Sequence, residues 1–107
     1  MSDSLSDAES LCQHVLEILP SLNLPNETPI TSSLQTVVKS IGVSRKKIMV
    51  RSAKGQELAK EIALAATHLH HAASAQKSDA ISEQLKQLEA PVKKLEIFWR
   101  SFEYATT

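Results

Sequence analysis

Four histidines and one cysteine are the side chains of this chain best suited to hold a metal ion, and their spacing decides which could act together. His68 and His71 stand three residues apart, so on a helix they share a face and could chelate as a pair. His70 points elsewhere, toward an alanine-rich edge, as a half-buried ring. Glu57 and Glu61 lie on the His68 side but roughly two or three turns away, too far to complete one coordination sphere within the same helix. Cys12 and His14 are two apart and point to nearly opposite sides of a helix. A solvated polar face is therefore the expected role of the histidines, with metal binding through His68 and His71 as the minor alternative; no metal site is assigned and no cofactor is expected. Nor do the residues suggest catalysis. Gly42 and Gly55 are isolated glycines, not a phosphate-cradling loop, and the carboxylates of the C-terminal half read as surface charge or helix caps. With no nucleophile–base set to argue for, the chain is not expected to be an enzyme.

Binding is the better-supported chemistry. The net charge of zero conceals a segregation. Residues 1–27 carry five acids and no base, whereas Thr28 to Gln56 carry six bases (Lys39, Arg45, Lys46, Lys47, Arg51, Lys54) and no acid. A cluster of that kind either docks an acidic partner or is shielded by the acidic first helix.

Within that cluster, residues 34–51 (LQTVVKSIGVSRKKIMVR) resemble the bacterial helix-turn-helix DNA-binding motif. Gly42 stands where the turn glycine of that motif falls, Val38 four residues before it, and Ile48 six after it. The resemblance implies that Arg45, Lys46 and Lys47 occupy the exposed start of a recognition helix. Arg51 departs from the motif in a position that is usually apolar, and Val38 is larger than the usual alanine. The fragment Arg51-Ser-Ala-Lys-Gly55 also resembles the core of histidine phosphotransfer bundles, with arginine in place of the phosphorylated histidine. Without that histidine no phosphorelay chemistry follows.

All four Phe, Trp and Tyr residues (Phe98, Trp99, Phe102, Tyr104) fall within seven positions near the C-terminus. They would plug one end of a bundle or anchor a partner or a second copy, since such aromatics dominate interface energetics.

The elements that must position these residues are helical. Gly is scarce, and Ala, Leu, Lys, Glu and Gln are abundant. At 107 residues the chain is expected to form one domain, 1–107. A first helix is expected over about 7–19, opened by a Ser6–Glu9 capping box and stopped by Pro20. A second is expected over 29–41, ended by Gly42 in a left-handed conformation. Ser44 would cap a third, over 44–75 with a weak point near 52–55. A fourth is expected over 79–104, kinked at Pro91, with the stripe Ile81, Leu85, Leu88, Val92, Leu95, Trp99, Phe102 in a four-three repeat.

The fold class expected is thus all-α, a four-helix bundle-like domain built on a long antiparallel helical hairpin. The function expected is non-enzymatic: a protein–protein interaction, adaptor or regulatory module that self-associates as a homodimer. Its binding residues would be Arg45, Lys46, Lys47, Arg51, Phe98, Trp99 and Phe102, and its partner a protein with an acidic or apolar surface. The alternative is a small DNA-binding regulator using residues 34–51. The acidic, polar N-terminus is unlike a secretory signal, and no apolar run could span a bilayer, so a cytoplasmic protein away from membranes is expected.

Overall fold

A computed structural model describes residues 4–22, 27–47 and 53–106, without the side chains of 27, 28, 47 and 102–106. The described backbone forms four α-helices: α1 (Ser4–Ile18), α2 (Glu27–Lys47), α3 (Ala53–Ser74) and α4 (Ser78–Thr106), with a 3-10 turn at Leu19–Ser21. The fold is an all-α bundle. None of these helices is long and apolar enough to cross a membrane.

α1 buries Leu5, Ala8, Cys12 and Val15, a three- and four-residue spacing that puts one stripe against the core. It begins at Ser4, so Ser6 and Glu9 stand inside its first turns and reach toward α2 instead of forming the expected capping box. At Leu19 the α-helix gives way to the 3-10 turn that holds Pro20, because a proline disfavours α geometry in the residue before it. Ser21 Oγ donates to the Ile18 carbonyl, and Leu22 N–H to that of Leu19.

The second helix departs most from expectation. α2 runs unbroken through Gly42 and Ser44 to Lys47, so neither the helix end at Gly42 nor the new helix at Ser44 is formed. No glycine among the described residues has a positive φ. The reason lies in packing. Leu34, Val37, Ile41 and Ser44 continue one buried stripe across the glycine, and Ser44 is 0% exposed. A glycine within a helix costs about 1 kcal/mol relative to alanine. Burying a single leucine-sized side chain contributes about 1.5–3 kcal/mol, so the local signal yields to the tertiary one. The third helix starts at Ala53, not Ser44, and places Lys54 and Gly55 in its first turn. The junction at 48–52, which includes Arg51 and Ser52, lies outside the described residues.

α3 ends in a Schellman motif. Gln76 adopts φ 59° as its left-handed residue; Lys77 N–H donates to the Ala72 carbonyl (3.3 Å) and Gln76 N–H to that of Ala73 (3.0 Å). The chain reverses there and Ile81 N–H donates to Lys77 O at the start of α4. α4 buries Ile81, Leu85, Leu88, Val92 and Leu95 and stays one helix through Pro91. Its 29 residues, at about 1.5 Å each, account for most of the 47 Å long axis of the molecule.

The short connections set the topology. α3 and α4 form an antiparallel hairpin, and α1 and α2 a second one. α2 ends beside the start of α1, where Arg45 meets Ser6 and Glu9, and α3 begins six residues later at the same end. α1 therefore runs parallel to α3, and α2 parallel to α4. α1 packs on α2 and α3, and α4 on the same two helices. Ala59, Ala66 and Ala73 are buried seven apart on the His70 side of α3, the side that faces α1.

Candidate interaction surface

The C-terminal ends of α2 and α4 lie at the same end of the bundle, which brings the predicted basic run and the predicted aromatics to one region. The residues are not equally available. Arg45 is turned inward: its Nη1 donates to Ser6 Oγ at 3.0 Å and its Nη2 lies 3.6 Å from Glu9 Oε2. Their side chains are 37% and 20% exposed, so the pair is partly shielded from solvent. The acidic first helix thus takes up one charge of the basic run. Gly42 sits beneath this contact, its absent Cβ position 3.5 Å from Glu9 Oε2. Lys46 is exposed. The side chain of Lys47 and the whole of Arg51 lie outside the described residues.

On α4, Phe98 and Trp99 are half-buried and pack against the core, and the Arg100 guanidinium stands 5.7 Å from the Trp99 ring centre. The Phe102 side chain lies outside the described residues. Sequence reasoning missed Ile97, which, like Leu64 on α3, is 60% exposed. At ~100° per residue it points almost directly away from the Leu95–Trp99 stripe. Lys93 and Lys94, one turn before it, and Arg100, three residues after, are all exposed around it. An isoleucine out of phase with a core stripe and flanked by bases at i−4, i−3 and i+3 was a readable signal, obscured by the stronger aromatic one next to it.

Beside this patch a groove of about 270 Å³ runs between α2 and α4. Ser32, Ser33, Thr36 and Ser40 line one wall and Glu89, Lys93 and Glu96 the other, over a floor of Val37 and Val92. Thr36 Oγ1 donates back to the Ser32 carbonyl at 3.1 Å, so that hydroxyl is already occupied.

The histidines are arranged differently from their sequence spacing. His68 and His71 are both exposed on α3. His70 is half-buried and meets His14 of α1, with ring centres 6.2 Å apart and planes at 69°. No group of three or more His, Cys, Asp or Glu side chains that could hold a metal occurs among the described residues. Cys12 is buried under α1, and desolvation pushes its thiol from the usual 9.0 up to about 12, which leaves it a packing residue at neutral pH. Comparison with known proteins finds no family model, curated protein or solved structure that matches the chain.

Proposed function

We propose that this protein is a non-enzymatic interaction module, an adaptor or regulatory bundle that self-associates and docks partners with an acidic and apolar surface. One observation carries the reading: Ile97, 60% exposed, is surrounded by Lys93, Lys94 and Arg100 on the outer face of the helix end that also holds Phe98 and Trp99. A single exposed isoleucine is ordinary on a protein surface. Here Ile97 stands out of phase on the polar side of α4, ringed by bases, near the half-buried Phe98 and Trp99. Basic side chains around an apolar centre suit an acidic partner: the charges steer the encounter and the isoleucine and aromatics supply the burial.

The competing reading, a DNA-binding regulator, rests on Lys46 and the helix-turn-helix-like segment. Its structural premise is weakened by α2, which is one continuous helix from Leu34 to Lys47 and has no turn at Gly42. The two readings separate in a paired experiment. Partner capture from cells of the source organism is run with wild-type, Ile97→Glu and Lys46→Glu baits, alongside fluorescence anisotropy against a DNA duplex at two salt concentrations. The interaction reading expects a protein retained by wild type and lost with Ile97→Glu. Micromolar or tighter DNA binding with a steep salt slope, abolished by Lys46→Glu, would replace it.

A further inference from the structure

The meeting of His14 and His70 is a juxtaposition that the interaction surface does not use. The two residues are 56 positions apart and belong to parallel helices. They reach each other across the α1–α3 seam, where the two helices pack side by side and in parallel. Among the described residues, neither ring has a hydrogen-bond or carboxylate partner. Each neutral imidazole therefore keeps a nitrogen lone pair available.

We infer that His14 and His70 form a cross-helix, two-histidine site for a late first-row transition-metal ion such as Zn²⁺. The distances allow it. A Zn–N bond of about 2.0–2.1 Å and a further ~1.2 Å to the ring centre put each centroid about 3.2 Å from the metal. Two such rings have centroids about 5.2 Å apart at a tetrahedral angle and about 6.4 Å apart in line. The observed 6.2 Å is about 1 Å beyond the tetrahedral value, so rotation of the exposed His14 ring toward the half-buried His70 would complete the bite. The local charge favours a cation: Glu17 stands one turn from His14 and α1 has no Lys or Arg, while Glu9 is already paired with Arg45. Since no third protein ligand stands with the pair among the described residues, water completes the coordination and the ion remains exchangeable. Imidazole is the ligand type that zinc, nickel and copper share, and copper would bind more tightly than zinc. Bound metal would fasten α1 to α3 and so favour the folded bundle by mass action.

The competitor is the His68–His71 pair within α3, and the test separates the two. Thermal unfolding of the untagged full chain is followed by circular dichroism with and without Zn²⁺, for wild type, His14→Ala, His70→Gln and the His68→Ala/His71→Ala double variant. His14 is exposed, so its replacement leaves the metal-free fold intact, and metal-free spectra check this for every variant. The expected result is a Zn²⁺-dependent rise in Tm of roughly 5 °C for wild type. That rise disappears in His14→Ala and in His70→Gln and persists in the double variant. No rise in wild type overturns the inference. So does a rise that survives His14→Ala, or one that the double variant loses.

Discussion

Replacing Gly42 with alanine separates a helix interior from a turn by the sign of its effect. In a helix-turn-helix the glycine at this place takes a left-handed conformation, and a Cβ there costs about 1–2 kcal/mol. In the structure Gly42 lies within α2, with neighbours helical on both sides and no positive φ. The added Cβ would stand 3.5 Å from Glu9 Oε2, an ordinary contact that pushes nothing aside. What remains is the helix-propensity difference, about 0.8–1.0 kcal/mol in favour of alanine. A small deduction applies, because the new methyl sets an apolar group beside the already buried Glu9 Oε2, so a net gain of about 0.5–1 kcal/mol is expected. For a chain of this size that raises Tm by roughly 2–6 °C. The assay is thermal and urea unfolding followed at 222 nm, with the urea m-value checked for constancy so that the shift reports stability. Destabilisation by about 1 kcal/mol or more, at unchanged m, would refute a continuous α2 and restore the turn.

Further perturbations test neighbouring parts of the account. Ser44 is fully buried and its hydroxyl has no hydrogen-bond partner among the described residues. Ser44→Ala is therefore expected to be neutral or slightly stabilising in urea unfolding, whereas a capping serine would cost about 1 kcal/mol. Gln76 holds φ 59° in the Schellman turn, and Gln76→Gly should raise stability by about 0.5–1 kcal/mol in the same assay. The buried Cys12 thiol should resist a thiol reagent in the native protein at pH 8 and react once the chain unfolds. Its folded pKa lies above the unfolded one, so the unfolded chain gives up this proton first as pH rises. Cys12 therefore leaves stability untouched below pH 9 and reduces it between 9.0 and about 12, a loss that Cys12→Ala should remove.

What the sequence carried, and what it did not, divides along the range of the interactions. The fourth helix was legible because Ile81, Leu85, Leu88, Val92 and Leu95 repeat in phase across Pro91, and all five are buried. The antiparallel hairpin followed from the tight turn before it. The misreading at Gly42 came from a local signal, Gly-Val-Ser, that is compatible with a turn but does not enforce one. The buried run Leu34, Val37, Ile41, Ser44 was decisive, and a serine in that stripe does not look like core until the partner helices are in place. Shielding of the basic run by the acidic first helix was an open alternative in the charge pattern. The structure makes it specific to Arg45 and leaves Lys46 exposed. His14 and His70 could not have been paired from spacing, because their contact depends on α1 lying parallel to α3, a consequence of the whole topology. Ile97 was legible in principle, as an apolar residue on the polar side of an otherwise well-patterned helix.

The central claim, that the outer face of the α4 end is an interaction surface through which the chain self-associates once salt screens its ring of bases, is tested most directly by sedimentation equilibrium of wild type and Ile97→Glu over a wide concentration range at near-physiological salt. Ile97 is 60% exposed, so the substitution should leave helicity and Tm essentially unchanged. The prediction is a reversible, concentration-dependent dimer for wild type and a monomer for Ile97→Glu at matched helicity. A wild-type chain that stays monomeric at the highest soluble concentration, or an Ile97→Glu chain that dimerises as strongly as wild type, would contradict it.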